Sequence, residues 1–200
     1  MKYMLRKMVK IQIENGIFIQ CFDKTVKSIV IPNGVTSIAK NAFSDCLFLK
    51  SIVIPGSIRT IDSKVFNGCS SVEKIKISEG VKNIEKYAFC NCKSLKNIEI
   101  PESVTEIGDF AFAYCNLLES ITIPDSVTII GNYAFAYCES LESITIPDGV
   151  TEIGKSAFWG CKSLKEIKIP DSVTKIGEYA FHKCISLESL VIPESVTKNR

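Results

Sequence analysis

The stretch IPDSVTIIGNYAFAYCESLESITIP, from Ile123 to Pro147, decides the fold, because copies of it follow one another along the chain at a constant step of 23 residues. The step holds without a slip between residues 29 and 198, and only Ser78 breaks the proline register. The repeated positions are Pro32, Pro55, Pro101, Pro124, Pro147, Pro170 and Pro193; Phe43, Phe66, Phe89, Phe112, Phe135, Phe158 and Phe181; and Cys46, Cys69, Cys92, Cys115, Cys138, Cys161 and Cys184. A fixed period of this length indicates stacked structural repeats, each of which packs on its neighbours.

Each unit reads L-x-x-I-x-I-P-x-[SG]-V-T-x-I-G-x-x-A-F-x-x-C, as in Leu95–Cys115. The Ile-x-Ile segment predicts a short strand with alternate side chains buried, and the proline ends it because proline cannot donate to a ladder. The Val-x-x-Ile segment is expected to turn back toward the core, and a glycine such as Gly108 to relax the backbone for a turn. The Ala-Phe-x-x-Cys-x-x-Leu segment has apolar residues three apart, which predicts one turn of α- or 3₁₀-helix.

These elements predict an α/β fold, a right-handed solenoid of seven to eight stacked units over residues 29–198, with short parallel strands and returns that are either turns or one-turn helices. Eight strands spaced about 4.8 Å apart would give a sheet roughly 38 Å long. Residues 1–28 do not fit the repeat, but apolar residues alternate around Asn15-Gly16, which predicts a β-hairpin that caps the first unit. Asn199 stands where the repeat has isoleucine, so residues 199–200 are assigned to a tail, and we expect the uncapped end to fray or to pair with another chain.

The overall charge excludes several function classes. The chain has 24 basic and 22 acidic residues, and this balance selects neither nucleic acid nor an anionic membrane. The first residues, MKYMLRKMVKIQIE, lack the apolar run of a secretory signal, and no stretch approaches the roughly 18 apolar residues of a membrane span. We therefore expect protein partners, no nucleic acid and no membrane insertion.

The unit at Ile123–Pro147 and its copies resemble the BspA-like branch of the leucine-rich-repeat family. The chain departs from the commoner leucine-rich repeat, which has Asn or Cys three residues after its last strand Leu; here that column holds Ser57, Ser103, Ser126, Gly149 and Ser172. The resemblance implies a surface-exposed or secreted protein of the kind found in bacteria and parasitic protists. It also implies a non-catalytic role, adhesion to host matrix proteins or to other cells.

The alternative is an intracellular scaffold that binds partners of its own cell, and the cellular compartment stays open. Free thiols and the absence of a secretory signal favour this alternative. Seven cysteines recur at a step of 23, without the C-x₂-C spacing of zinc sites. We expect them to be small buried hydrophobes with free thiols. Cys90 lies instead in a variable column and is predicted to be exposed. His182, the only histidine, shares that column and is predicted to be a surface residue, without the partners that a catalytic triad or a metal site needs.

An acidic column follows the strand-ending proline or its substitute, at Glu79, Glu102, Asp125, Asp148, Asp171 and Glu194. Turn chemistry is the simpler explanation, because proline followed by an acid favours a bend. The sharper hypothesis is weak Ca²⁺ binding along Glu102, Asp125, Asp148 and Asp171, and no other cofactor is expected. On the strand side, Lys50, Glu73, Lys96 and Glu119 alternate in sign, which predicts a ladder of cross-strand pairs.

Two sets of outward residues are candidates for binding a partner. The first lies on the strand surface, at Lys76, Glu99, Thr122, Thr145 and Lys168. The second consists of aromatic residues, at Tyr87, Phe110, Tyr114, Tyr133, Tyr137, Trp159 and Tyr179. Aromatic residues dominate protein-interface hot spots, but each ring could also merely cover the edge of its neighbour's core. No nucleophile–base pair or phosphate loop stands out from the repeat, so no enzymatic activity is expected.

Overall fold

A computed structural model describes residues 11–43 and 46–199, and these residues form seventeen β-strands and no helix. The hairpin consists of β1 (Ile11–Glu14) and β2 (Ile17–Cys21). Long strands begin the coils: β3 (Ser28–Val30), β5 (Ser51–Ile54), β7 (Lys74–Ile77), β9 (Asn97–Glu99), β11 (Ser120–Thr122), β13 (Ser143–Thr145) and β15 (Glu166–Lys168). Two-residue strands alternate with them: β4 (Ser37–Ile38), β6 (Thr60–Ile61), β8 (Asn83–Ile84), β10 (Glu106–Ile107), β12 (Ile129–Ile130), β14 (Glu152–Ile153), β16 (Lys175–Ile176) and β17 (Lys198–Asn199).

The long strands form the predicted parallel arrangement, with a register of one repeat between neighbours. Ile52 lies opposite Ile75, and Ile75 lies opposite Ile98. Strands β3 to β11 make a five-stranded sheet, while β13 and β15 pair separately. The outward side chains alternate with buried isoleucines, as the period-2 pattern requires. Residues 189–192 would supply an eighth strand but are not in β-structure, so this face has seven strands.

A second parallel sheet runs along the solenoid where the sequence predicted only a turn. It joins β6, β8, β10, β12, β14, β16 and β17, and each strand after β6 is displaced by one repeat from the one before. In each two-residue strand from β4 to β16 the second residue is a buried isoleucine, whereas the first residue faces outward. Two residues per strand are too few to show a periodicity in the sequence. The stacking of identical units supplies the pairing that makes them strands.

The predicted helical turn is wrong, and with it the α/β assignment: the described part of the chain is all β-structure and turns. In its place lies a turn ribbon, residues 85–92 and their equivalents in other coils. The N–H groups of Tyr87, Phe89 and Asn91 donate to the carbonyls 22 residues later, over 2.8 to 2.9 Å, while the intervening N–H groups donate three residues back. Tyr87 and Asn91 have positive φ angles of 61° and 62°. This alternation cannot propagate a helix, which needs one repeated right-handed conformation.

The core is a column of stacked phenylalanines that runs through the coils. Neighbouring rings from Phe18 to Phe181 have centroids 5.0 to 5.6 Å apart and nearly parallel planes. The rings from Phe66 to Phe158 are fully buried. Isoleucine, valine, leucine and alanine columns complete this core, which is contiguous from the hairpin to Ala180. Stacked rings 4.5 to 7 Å apart gain energy beyond the area that they bury.

The repeated glycine has a different role from the one that the sequence suggested. Gly154 does not have a left-handed φ, so no special backbone conformation requires it. A Cβ atom there would lie 2.5 Å from the carbonyl carbon of Gly131 in the preceding coil. Gly177 is equally tight, because a Cβ atom would lie 2.4 Å from the amide nitrogen of Lys155. The column is therefore glycine because the backbones of successive coils approach closely.

The hairpin forms around Asn15 and Gly16, whose φ angles of 49° and 76° are those of a type I′ turn. Strand β2 then pairs in parallel with β4, and Phe18 stacks on Phe43 at the start of the phenylalanine column. The role of residues 1–28 as a cap stays a prediction, and residues 1–10 lie outside the described part. At the other end, β17 pairs with β16. There Ile192 is 42% exposed, whereas its equivalent Ile169 is 7% exposed.

Candidate binding surfaces

The structure brings the first set of candidates together on the strand face, which is the outward side of the long strands β3 to β15. All five side chains are exposed, one from each of five successive long strands: Lys76, Glu99, Thr122, Thr145 and Lys168. Lys76 lies directly opposite Glu99, and Thr145 lies opposite Lys168. Whether they bind a partner stays a prediction.

A groove of about 500 Å³ lies on this face, over strands β5, β7 and β9. Its polar lining consists of Ser51, Lys74, Lys76, Asn97 and Glu99, and isoleucines form its floor. Lys74 and Lys76 stand two apart on one strand, so the sequence already predicted both on the outward strand surface.

The second set of candidates forms an aromatic ridge, defined as Tyr87, Phe110, Tyr114, Tyr133, Tyr137, Trp159 and Tyr179. The rings of Tyr87 and Phe110 stack with centroids 4.7 Å apart, and those of Phe110 and Tyr133 at 4.6 Å. Tyr114 and Tyr137 form a shorter parallel stack at 4.8 Å. The sequence columns thus correspond to continuous columns of rings on the outside of the solenoid.

Most of these rings also pack, as the alternative interpretation predicted. Cys90, Ala113 and Ala136 form a small buried cluster separate from the main core, and five ridge rings pack against it. Two rings are more accessible than the others: Tyr114 is 40% exposed and Tyr179 is 58% exposed. The ridge therefore combines packing with exposure. Tyr114 and Tyr179 are the rings most available to a partner.

The backbone under the ridge adopts an uncommon conformation. Six of its seven residues have positive φ angles between 54° and 61°: Tyr87, Phe110, Tyr114, Tyr133, Tyr137 and Tyr179. A left-handed conformation costs a residue with a Cβ atom roughly 1–2 kcal/mol, and an aromatic stack returns about 0.5–1.5 kcal/mol. Strained residues concentrate at functional sites, although they also persist where the surroundings determine them. No propensity predicts bulky aromatic residues in this conformation.

Lysine side chains lie over several of the ring faces. The Lys86 Nζ atom is 5.3 Å from the Tyr87 ring centroid, and the Lys155 Nζ atom is 5.9 Å from that of Tyr179. The Lys183 Nζ atom lies 6.0 Å from the ring centroid of Trp159. Cations in this position are attracted by the negative face of the ring. The ring faces of the ridge are therefore contacted by lysines or by neighbouring rings.

The repeat cysteines form a thiol column beside the phenylalanine stack, and none of the described cysteines forms a disulfide, as predicted. The Cys115 Sγ atom donates to the Phe89 carbonyl oxygen over 3.4 Å, and the Cys161 Sγ atom to that of Phe135 over 3.2 Å. Burial raises the pKa of the Cys69 thiol to about 12. These thiols are shielded and neutral at physiological pH, so they are structural and do not indicate a compartment.

The prediction that Cys90 is exposed is wrong. Its side chain is 4% exposed, because the rings of the aromatic ridge cover it, and desolvation by burial raises its pKa. The variable column that contains Cys90 and His182 therefore faces solvent at some positions and is buried at others. His182, in the same column, is exposed as predicted, and its ring meets Trp159 edge-on at 5.1 Å.

The acidic column lies on exposed turns, as at Asp125, Asp148 and Asp171. The Glu79 carboxylate accepts a hydrogen bond from the Glu102 N–H over 3.2 Å, so this carboxylate binds the backbone of the next coil. In residues 11–43 and 46–199 no group of three or more His, Cys, Asp or Glu side chains is placed to hold a metal ion. Weak Ca²⁺ binding stays a prediction, and melting curves with and without millimolar Ca²⁺ would test it.

The charge ladder on the strand side is present. Lys50 pairs with Glu73 at 2.5 Å, Lys96 with Glu119 at 4.0 Å, and Lys165 with Glu142 at 3.1 Å. Because these pairs are solvent-exposed, each contributes at most about 1 kcal/mol. The ladder thus helps to fix the register rather than to supply the stability.

Where the chain is described, no helix is long and apolar enough to cross a bilayer.

Comparisons with known proteins agree with this architecture. The profile of the BspA type leucine rich repeat region matches residues 11–142 and 105–200, with 6 copies. A leucine-rich repeat protein of Bacteroides ovatus has 33% identity and a TM-score of 0.83 over 96% of this chain, and the chain spans 53% of that protein's length. A comparison with curated proteins found no significant match.

Two further solved structures resemble the chain. The T. pallidum leucine rich repeat protein has 30% identity and a TM-score of 0.80, with 91% of this chain and 89% of that one covered. A leucine-rich repeat protein of Eubacterium ventriosum, at 24% identity and a TM-score of 0.67, shares the fold over 88% of this chain and 57% of its own. The family profile and the first two structures together cover nearly all described coils. The chain belongs to the BspA-type leucine-rich-repeat family.

Proposed function

We propose that the protein is a non-catalytic protein-binding module of the cell-surface adhesion type, and that the aromatic ridge contacts the partner. The observation that carries the proposal is the ridge itself: stacked, rigid rings on the outside of the solenoid, with Tyr114 and Tyr179 more than a third exposed. Rigid aromatic side chains lose little conformational entropy on binding and are enriched in interface hot spots. Tyrosine hydroxyls at the ridge surface would add hydrogen bonds to a partner backbone.

The family supports a binding role in general terms. Stacked repeats offer extended surfaces, and proteins built from them commonly bind other proteins. The chain spans about half of the similar Bacteroides ovatus protein. The activity and the partners of a whole protein of that kind are therefore proposed for this chain, as part of the same proposal. Host matrix proteins or proteins of other cells are the partners that adhesion would require.

Serine substitutions along the ridge test the proposal, with immobilised matrix proteins as the binding targets. Tyr114→Ser and Tyr179→Ser, at the exposed rings, should lose binding while the melting temperature falls only slightly, because each loses at most a stacking contact. Tyr133→Ser removes a half-buried ring and should lower the melting temperature. If the exposed-ring variants bind as well as the wild type, the ridge is only a packing device and the proposal is wrong.

An intracellular scaffold is the second candidate function, and the nine cysteines without a disulfide were its support. The burial of the thiol column weakens that support, because shielded thiols persist in either compartment. Labelling of intact cells with a membrane-impermeant biotin reagent separates the candidates. Labelling of the protein while cytosolic proteins are protected supports adhesion, and labelling only after lysis supports the scaffold.

A further inference from the structure

The groove over β5, β7 and β9 has charge properties that set it apart from the rest of the strand face. Lys74 and Lys76 both point outward from β7, which makes it the only described long strand with two cations on this face. Two residues along one strand separate them by about 6.8 Å. Like charges at this spacing repel each other at low salt, and an anion between or above them would relieve the repulsion.

The described acidic residues around Lys74 and Lys76 do not form ion pairs with them, so both lysines are available to bind an anionic group. None of the seven ion pairs among the described residues involves Lys74, Lys76 or Glu99. Glu73, which precedes Lys74 in the chain, is held by Lys50, whose hydrogen bond and charge lower the pKa of Glu73, with a smaller contribution from the charge of Lys74. Within the groove the two lysines outnumber the one acid, Glu99, which lies directly opposite Lys76.

The other groups in the groove suit an extended peptide. Asn97 and Ser51 lie opposite Lys74 on the two neighbouring strands and can bond to peptide groups. The groove of about 500 Å³ is open along the sheet, with the buried isoleucines of three strands below it. Two lysines are too few to bind a nucleic acid, for which specific affinity rests on several phosphate contacts.

We propose that this groove binds an extended acidic segment of a partner protein, with carboxylates at alternate residues that match the spacing of Lys74 and Lys76. This inference rests on the proposed function, since it assumes that the chain binds proteins, but it names a second surface distinct from the aromatic ridge. An extended segment places alternate side chains on one side at about 6.8 Å, which is also the backbone spacing of Lys74 and Lys76 along β7. Charge-assisted hydrogen bonds then hold it.

The probe is a fluorescein-labelled decapeptide in which glutamate and threonine alternate, and the readout is fluorescence anisotropy at low salt with the full chain. A matched peptide with glutamine in place of glutamate should not bind. The double variant Lys74→Gln/Lys76→Gln should weaken binding of the acidic peptide about tenfold or more. Glu99→Gln should strengthen it by about two- to fivefold, because it removes the one opposing charge.

The control variant Lys82→Gln/Lys93→Gln removes two exposed lysines that lie off this face and have no ion pair in the described part of the chain. Its affinity should stay at the wild-type value. Equal loss in both double variants would show a general charge effect and overturn the inference, as would displacement of the peptide by millimolar inorganic phosphate. Absence of peptide binding together with intact matrix-protein binding overturns only this inference; the reverse pattern overturns only the proposed function.

Discussion

The indole ring of Trp159 stacks on the ring of Tyr133, with centroids 6.4 Å apart and planes 22° from parallel. The same indole ring also meets the ring of Tyr179, with centroids 5.9 Å apart. The ring column has no aromatic residue of its own between these two, because that position is Ser156, which is fully buried. Trp159 thus fills, from the adjacent column, the space that Ser156 leaves. The Ser156 Oγ and Trp159 Nε1 atoms are both buried without a hydrogen-bond partner.

This relationship predicts strong coupling between the two positions. Ser156→Tyr alone should destabilise the fold, because the new ring meets the indole, and Trp159→Ala alone should leave a gap between Tyr133 and Tyr179. The double variant Ser156→Tyr/Trp159→Ala restores the pattern of the preceding coil, which has Tyr133 and Ala136. Denaturant unfolding should show a coupling free energy of about 1–3 kcal/mol in favour of the double variant. Additive effects of the two changes would contradict the filling of one space by the other side chain.

Raising the pH should destabilise the protein through its thiol column. Burial raises the pKa of the thiols in the folded state, to about 12 for Cys69 and to about 11 for Cys184. An unfolded thiol ionises near pH 8.5, so the stabilisation is complete below that pH and is lost as the pH rises toward the folded pKa. A fully buried thiol should remove about 1.4 kcal/mol per pH unit above 8.5, and a partly exposed one such as Cys184 should remove less.

Unfolding in guanidinium at several pH values between 7 and 10 measures this effect, in the wild type and in Cys138→Ala. The variant lacks one fully buried thiol, whose pKa burial raises well above its ordinary value. Its free energy of unfolding should fall less steeply with pH than that of the wild type. Parallel curves would show that other groups, such as tyrosines and lysines, cause the loss.

Alanine substitutions should lower the free energy of unfolding by different amounts at two kinds of glycine. Gly154→Ala places a methyl group against the backbone of the preceding coil and should cost about 1–3 kcal/mol or more through overpacking. Gly68→Ala is the matched control, because Gly68 has a φ of 79° and no atom lies within 4 Å of a Cβ there. Its cost should be only the left-handed strain of about 1–2 kcal/mol. Chemical denaturation ranks the two, and a milder effect at Gly154 would contradict the close approach of the coils.

The chain should self-associate through its last coil. Leu190 and Ile192 are 38% and 42% exposed, whereas the equivalent isoleucines of the preceding coil are 7% exposed. Burial of this apolar edge against a second copy would give a two-fold dimer. Light scattering across a range of protein concentrations should show a dimer that Ile192→Lys abolishes at an unchanged melting temperature. A wild-type monomer at all concentrations would rule this contact out.

Much of the architecture could be predicted from the sequence, since the repeat defines both the stacking and the inward columns. The parallel strands, the Asn15-Gly16 hairpin, the buried thiols and the Lys50–Glu73 pair all agree with it. Each of these features follows from a local pattern or from the fixed step of 23 residues. A pattern of this kind shows which residues stack on one another, but it does not give the backbone conformation of the segments that connect them.

The turn ribbon shows why the rest could not be predicted. Apolar spacing at Ala111 and Cys115 suggested a helix, but Phe110 and Tyr114 adopt left-handed φ angles that their residue types disfavour. Only stacking with the neighbouring coils makes that conformation favourable, and propensities carry no information about it. The same stacking buries Cys90 beneath rings from other coils, which a column that varies in sequence cannot reveal.

Most hydrogen bonds between the coils of the turn ribbon point one way. In each of the central coils three N–H groups, such as those of Tyr87, Phe89 and Asn91, donate to the C-terminal neighbour, whereas only one, such as that of Glu85, donates to the preceding coil. Aligned peptide groups sum to a macrodipole, as they do in a helix. The ribbon is therefore an electrically polar rod alongside two sheets whose dipoles are small, positive toward Tyr179, Phe181 and Lys183. Any acidic group that approaches the solenoid along its axis meets a favourable field at that end and an unfavourable field at the hairpin end.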